Sequence, residues 1–293
     1  MARVAIVVPA RNAEATIGET LDSVAHQTFA DFETVVVDDG STDRTAEIAA
    51  SFDARFRCLR EAPRGVSAAR NRGVELTSAP FIAFLDADDY WDPTKLERQL
   101  EALSIRPEAG VCYAAVTRVG PRGDVVGSAP ALEYDDPTAA LLLYSNIVSG
   151  SCSSAMVRRD SVRAVRFDPR FSQCADWHYW LRLSLDTGFV AVPQPLVMYR
   201  SSGENMSSDI GLLERDTFAV LDAFYAEEAG ADPYRSIRQH VYSNHWMILS
   251  GSYLHAGRLA DSVRCLARGL ALWPANITKP LTLPVRRARR AAS

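Results

Sequence analysis

Four short apolar runs, Val4–Val8, Thr34–Val37, Phe56–Leu59 and Phe81–Leu85, recur through residues 1–105 with helical-period segments between them. Glu14–His26 places Ile17, Leu21 and Val24 on one helical face, and Thr45–Ser51 and Val66–Leu76 read as two further helices. Continuously apolar strands have no face to offer water, so both sides of their sheet must be covered. Strands of that kind alternating with helices predict an α/β fold with a mostly parallel sheet flanked by helices. Ligands on such sheets bind beyond the carboxyl ends of the strands. Asp38, Asp39, Asp86 and Asp88 all follow predicted strands, so the acids collect at one rim.

The sharpest local signal is Phe81-Ile82-Ala83-Phe84-Leu85-Asp86-Ala87-Asp88-Asp89, where an apolar strand runs into three carboxylates. Like charges that close repel, and a hard divalent cation such as Mg²⁺ or Mn²⁺ is the natural partner for oxygen ligands. A cation there would grip a diphosphate. The chain has 293 residues, 47% of them apolar, enough to bury a sizeable core, and its net charge of −4 argues against nucleic acid as main partner. Five cysteines with no C-x-x-C spacing signal neither a disulfide framework nor a cysteine zinc site, so a reducing cytoplasm is expected. Val4–Pro9 is too short for a signal h-region, and no run of about 18 apolar residues predicts a spanning helix.

Further along, Val111–Val116 and Ser154–Arg158 read as strands, Pro137–Tyr144 and Asp176–Leu185 as helices, and Pro121-Arg122-Gly123-Asp124 as a turn. Val190–Arg200 is extended and interrupted by Pro193 and Pro195. Ile210–Trp273 is helical throughout. Within it Tyr253–Pro274 resembles one tetratricopeptide-type hairpin, whose single copy reads as a packing hairpin. Val285–Arg290 carries four arginines, either a solvated end or an attraction to anionic lipid.

Each motif taken alone has a plain reading. Asp39-Gly40-Ser41-Thr42-Asp43 fits a turn with a helix cap, Asn12 and Glu14 fit caps, and Arg70 and Arg72 fit a solvated helix face. Asp86-Ala87-Asp88 fits a strand exit, and Asp176 fits an acid at a helix N-terminus. Trp91, Tyr90, Trp177 and Trp180 read as core more readily than as sugar platforms. Their order on one α/β half is what discriminates. Pro9-x-x-Asn12, Asp38-Asp39-Gly40-Ser41-Thr42-Asp43, Ala69-Arg70-Asn71-x-Gly73, Asp86-x-Asp88, Ala175-Asp176-Trp177-x-x-Trp180 and Leu196–Arg200 together resemble glycosyltransferase family 2, over residues 3–208.

That resemblance implies a GT-A fold: a catalytic domain over 1–208, with a nucleotide-binding half at 1–105 and an acceptor-binding half at 106–208. A helical extension with a basic tail follows at 209–293. It implies an inverting, metal-dependent transfer of one sugar from a nucleotide-diphosphate sugar, UDP-linked in most relatives, to an acceptor hydroxyl in cell-surface glycan synthesis. Asp39 would hydrogen-bond the base, usually uracil, and Pro9, Arg11 and Glu14 would line the nucleoside pocket. Arg70 would approach base or phosphate, and Asp86, with Ala87 beside it, would contact ribose or metal-bound water. Asp88 would ligate Mn²⁺ or Mg²⁺, and Asp176 would be the general base. The implied location is cytoplasmic, with peripheral contact at the inner membrane face through the tail, and the implied acceptor a glycan, lipid-linked or small molecule. Two positions depart from the pattern. Ala175 replaces the Glu that often precedes the base, and no His follows Tyr199-Arg200, which leaves Ser202, Asn205 or water for its place. The rivals are a sugar-1-phosphate nucleotidyltransferase, against which Pro9–Glu14 lacks a glycine, and a non-catalytic nucleotide-sugar-binding module.

Overall fold

The computed structural model describes residues 2–144, 147–162, 165–200 and 209–278. Ser202, Asn205 and the arginines of the tail lie outside the described residues. The chain forms two compact units, residues 1–135 with 148–202, and residues 136–147 with 203–293.

The first unit is built on β1 (Val4–Ala10), β2 (Phe32–Asp38), β3 (Phe56–Arg60) and β4 (Phe81–Phe84), with α1 (Ile17–Ala25), α2 (Thr45–Ala50) and α3 (Val66–Glu75) between them. These strands run parallel in the order β3-β2-β1-β4. The sheet continues through β5 (Tyr90–Trp91), β6 (Ala109–Val119), β7 (Val125–Ala129), β8 (Ala155–Arg158) and β9 (Gly188–Arg200), with α4 (Lys95–Ile105) and α6 (Ala175–Ser184) covering it. The full order is β3-β2-β1-β4-β8-β6-β9-β5, with β7 paired to β6. β8 enters antiparallel to both β4 and β6, so the parallel half gives way to a mixed one. The α/β class read from the alternation is therefore the architecture.

Local chemistry accounts for the boundaries. Val4 to Val8 are wholly buried, as a central strand covered on both faces requires. Pro9 lacks an N–H, but it points toward β4, whose pairing ends at Val7, so no ladder bond is lost. α1 buries Ile17, Leu21 and Val24 but begins three residues later than the periodicity suggests. The segment before it, Asn12–Glu14, is bound to the neighbouring loop instead. In β9 the register jumps from Ala114↔Val192 to Ala115↔Pro195, so the Pro193–Pro195 stretch is accommodated as an irregularity. α4, which the sequence reading did not assign, buries Leu96, Leu100 and Leu103 at helical spacing.

The second unit comprises α5 (Pro137–Tyr144), α7 (Ile210–Glu227), a 3₁₀ segment Ala229–Ile237, α8 (Arg238–His255), α9 (Leu259–Leu272) and a short turn Pro274–Thr278. Leu249, Tyr253 and Cys265 form its buried cluster, with Ile210, Leu213, Phe218 and Trp246 packed around them. α8 and α9 make a hairpin, tied by the Ser250 hydroxyl to the Ser262 carbonyl at 2.8 Å and by the Ser243 hydroxyl to the Gly269 carbonyl at 2.7 Å. Asp209 caps α7 by accepting from the Leu212 amide at 3.0 Å. Among the described residues no helix is long and apolar enough to cross a membrane.

Candidate functional site

Three loops leave the carboxyl ends of β1, β2 and β4 at the same rim of the parallel half, and each is fixed by hydrogen bonds to another. The loop after β1 is clasped to the loop after β2. Asn12 donates its amide to Ser41 Oγ at 2.9 Å and accepts the Thr42 amide on Oδ1 at 2.9 Å. Ala13 N–H donates to Thr45 Oγ1 at 2.7 Å, and Glu14 accepts the Arg44 amide at 3.1 Å. Asn12 adopts φ 49°, a left-handed conformation that Asn tolerates better than most residues. Asn12 and Glu14 thus hold the two loops together rather than cap α1. Asp38 is wholly buried and accepts both the amide and the hydroxyl of Ser41, which shapes the turn.

Asp39 faces the other way. Its carboxylate accepts the Arg64 amide at 2.6 Å and the Gly65 amide at 2.9 Å, and Arg11 approaches it at 4.0 Å. Beside it lies an open groove whose walls include Val37, Arg64, Ala68, Asn71 and Pro169. Gly40 next to it has φ +74°, and a Cβ there would stand 2.8 Å from Pro63 Cδ, so this position requires glycine.

The acidic turn after β4 separates three carboxylates that look alike in sequence. Asp89 is wholly buried; it accepts the Ser153 hydroxyl at 2.5 Å and the Arg200 amide at 2.9 Å. Burial, with Asp86 and Asp88 nearby, pushes its carboxyl well above the usual range. Asp86 is clamped by Arg70 at 2.6 Å, and its amide donates to Ser153 Oγ at 3.0 Å. Asp88 is different. Among the described residues no side chain donates to its carboxylate, while burial and then Asp86 push it up to about 6. Arg200 secures the backbone there, donating to the Asp88 carbonyl at 2.8 Å and pairing with Glu19 at 2.6 Å. The Ala87 carbonyl accepts from Thr16 at 2.9 Å and Thr20 at 3.0 Å, which pins the turn to α1.

Arg70, from α3, links this turn to α6. Its side chain is 5% exposed, reaches Ser151 Oγ at 3.3 Å and lies 5.3 Å over the Phe167 ring. Burial is the largest influence and opposes its charge, but the surrounding acidic groups, Asp86 foremost and Cys152 and Asp176 with it, together outweigh it and raise its pKa. Asp176 sits in the first turn of α6 and accepts the Trp177 amide at 2.7 Å. Burial raises its pKa, Arg70 works in the opposite direction, and Asp86 adds to the rise. Asp86, Arg70 and Asp176 therefore share one electrostatic neighbourhood, together with the buried Cys152 thiol.

The predicted residues fall into two groups. Pro9, Arg11, Glu14 and Asp39 belong to the β1 and β2 loops, whereas Arg70, Asp86, Ala87, Asp88 and Asp176 surround the acidic turn. Trp91, Trp177 and Trp180 are buried, and Lys95 Nζ lies 3.8 Å over the Trp91 ring, so these aromatics are core. His178 is buried against Phe171. The sequence reading missed the loop Gly150–Ser154, which supplies Ser151 to Arg70 and Ser153 to two aspartates. Its run of small residues, Ser149-Gly150-Ser151-Cys152-Ser153-Ser154, was the available sign of a tight loop.

Among the described residues no three His, Cys, Asp or Glu side chains are grouped into a complete metal cage. An oxygen-preferring cation that completes its shell with substrate phosphates and water needs only one or two carboxylates. Asp88, half-buried without a donor side chain, suits that requirement, with Asp86 beside it.

The family model described as Glycosyl transferase family 2 matches residues 5–166. The putative teichuronic acid biosynthesis glycosyltransferase TuaG of Bacillus subtilis is 32% identical over 74% of this chain and 86% of its own length. The UDP-Glc:alpha-D-GlcNAc-diphosphoundecaprenol beta-1,3-glucosyltransferase WfgD of Escherichia coli is 29% identical over 70% of this chain and 80% of its own. Among solved structures, the mannosyltransferase PcManGT of Pyrobaculum calidifontis, in complex with GDP-Man and Mn²⁺, superposes with a TM-score of 0.61. That match covers 99% of this chain and 81% of that one at 17% identity, a likeness of fold.

Proposed function

Because the chain belongs to glycosyltransferase family 2, we propose that it moves one sugar from a nucleotide-diphosphate sugar, UDP-linked in the first instance, onto an acceptor hydroxyl. The transfer inverts the anomeric centre and depends on a divalent metal. The observation that carries the reading is the open Asp88 carboxylate, set beside the Arg70–Asp86 pair and in the same electrostatic field as Asp176.

In this reading the groove beside Asp39 receives the base. Pro9, Arg11 and Glu14 form the nucleoside side of the site, and Asp39 accepts a ring N–H while its other contacts keep the Arg64–Gly65 backbone in place. Asp86 and Ala87 face the ribose and diphosphate. Asp88 would hold Mn²⁺ or Mg²⁺, with Asp86 reaching it through bound water, and the ion would supply charge neutralisation to the departing nucleoside diphosphate. Arg70, charged and buried, adds a fixed positive charge on the same side. Asp176 takes the acceptor proton. Its raised pKa makes it a stronger base than an ordinary carboxylate, while Arg70 favours its charged form. A single base acting in one displacement gives inversion and needs no sugar–enzyme bond.

WfgD, a glucosyltransferase acting on α-GlcNAc-diphosphoundecaprenol, points to a lipid-diphosphate-linked sugar as the acceptor class to test first, in cell-surface glycan synthesis. The test is release of nucleoside diphosphate from UDP-glucose, UDP-GlcNAc and GDP-mannose, with and without an α-GlcNAc-diphosphate-lipid acceptor and Mn²⁺. The reading expects metal-stimulated, acceptor-dependent release from one donor. Equal release with Asp88→Asn and Asp176→Asn would sink the role assignments. Nucleotide binding without turnover on any acceptor would favour a binding module.

A further inference from the structure

One buried hydroxyl closes the acidic turn. Ser153, in the loop before β8, is wholly buried. Its Oγ accepts the Asp86 amide at 3.0 Å and donates to Asp89 Oδ2 at 2.5 Å. These two partners stand on either side of Asp88 in the chain. The other Asp89 oxygen accepts the Arg200 amide at 2.9 Å, and the Arg200 guanidinium returns to the Asp88 carbonyl at 2.8 Å. Within the turn the Asp89 amide donates to the Asp86 carbonyl at 3.1 Å. The backbone of Asp88 is thus fastened from both ends.

The hydroxyl is itself held in place. The Ser153 carbonyl accepts Trp91 Nε1 at 2.9 Å, and the Ser154 carbonyl accepts Gln99 Nε2 at 2.8 Å. The Ser153 amide donates to the Gly150 carbonyl at 3.1 Å, closing a turn in which Gly150 and Ser151 have φ 74° and 53°. Left-handed backbone at a serine is uncommon, and here the surrounding bonds hold it.

The fastening sorts three acids that repel one another. Ser153 and the Arg200 amide turn Asp89 inward, and Arg70 pairs with Asp86 at 2.6 Å. The Asp88 carboxylate is left as the acid of the turn open to a cation. A ligand oriented before the ion arrives binds it more tightly, and the groups that orient ligands are typically worth about 10- to 100-fold in metal affinity.

We infer that Ser153 is a positioning residue for the metal. Its hydroxyl holds the Asp86–Asp89 turn in the form in which Asp88 takes a divalent cation together with the donor diphosphate. The inference rests on the assignment of Asp88 to the metal.

The test is the Mn²⁺ concentration at the midpoint of the rise in melting temperature, measured on the full chain at fixed UDP, or at fixed GDP where UDP gives no shift. Ser153→Ala should raise that midpoint at least about tenfold, while nucleotide affinity without metal stays within about twofold. Ser154→Ala is the control. It removes a hydroxyl from the same buried loop, one that donates to the Ser149 carbonyl at 2.5 Å and does not touch the acidic turn. Its midpoint should stay within about threefold of the parent. If Ser153→Ala does not fold, Ser153→Cys, close in size but a weak donor, serves in its place, with a rise of at least about threefold. A parent that responds to Mn²⁺ and a Ser153 variant with the same midpoint would overturn the inference and leave the metal assignment standing. Equal rises in the Ser153 and Ser154 variants would show general loosening of the loop and overturn it too. A parent that shows no Mn²⁺-dependent shift with either nucleotide removes the Asp88 assignment, and the inference with it.

Discussion

Arg70 and Asp86 form a 2.6 Å ion pair that joins α3 to the acidic turn, with the arginine almost wholly out of water. Removing one member of a buried pair strands the other. Arg70→Ala should therefore destabilise the fold by about 3 kcal/mol, at the low end for buried pairs because Asp86 retains some exposure. Arg70→Lys keeps a charge but loses the planar fork that reaches Asp86 and Ser151 together, so it should lose about 1 kcal/mol. Urea unfolding of both variants checks the order. A loss below about 0.5 kcal/mol for Arg70→Ala would mean that the pair is solvent-relaxed.

Asp88 predicts a trade between stability and function. Its carboxyl stands at about 6 in the fold against 3.8 ordinarily, chiefly through burial. The folded chain thus holds a proton that the unfolded chain has released, and the metal-free protein loses stability as pH rises from about 4 to about 6. The difference corresponds to at most ~3 kcal/mol, less for the solvent that reaches the group. Asp88→Asn should therefore stabilise the metal-free chain by about 1–2 kcal/mol at neutral pH and remove that pH slope. It should also abolish any melting shift produced by Mn²⁺ with donor nucleotide. Thermal melts from pH 4 to pH 8 measure both effects. A variant less stable than its parent at pH 7 contradicts the account.

The strand–helix alternation made the parallel half legible, because a buried strand announces itself as Val4–Val8 does. The same reasoning put Asp39, Asp86 and Asp88 at one rim, where they are found. It could not sort Asp86, Asp88 and Asp89, since what separates them is contributed from distant segments. Arg70 comes from α3, Ser153 from the loop before β8, and the Arg200 amide from the end of β9. Asn12 and Glu14 illustrate the same limit: their residue types fit a helix cap, but their partners are Thr42 and Arg44 on the next loop. α4 went unread although Leu96, Leu100 and Leu103 have helical spacing, because the acidic turn and the aromatic pair Tyr90-Trp91 before it have no such pattern.

Asp176→Asn separates base from scaffold. The amide is nearly isosteric and can still accept the Trp177 N–H through its oxygen, so the start of α6 should be retained. Loss of a proton acceptor should lower kcat by about 10²- to 10⁴-fold while donor affinity stays within about twofold. Titration of the nucleotide by calorimetry and single-turnover transfer give the two numbers. Equal losses in affinity and rate would assign Asp176 to binding.

Lys95 offers a test of the core behind the acidic turn. It is wholly buried, with Nζ donating to Gln99 Oε1 at 2.7 Å and lying over Trp91, whose own Nε1 donates to the Ser153 carbonyl at 2.9 Å. Burial pushes its pKa down to about 7 from 10.5. Between those values the unfolded chain binds the proton and the folded chain does not, so this group makes stability rise with pH from about 7 to about 10. At and below pH 7 the fold carries a penalty of at most ~5 kcal/mol, which the cation–π contact and the Gln99 bond partly offset. Lys95→Met, similar in length and without charge, should stabilise the protein by about 1–3 kcal/mol at pH 6, with a smaller gain at pH 9. Denaturant midpoints at the two pH values decide it. Destabilisation at pH 6, or a gain that grows toward pH 9, would show that the ammonium is held charged by its partners and that burial does not govern it.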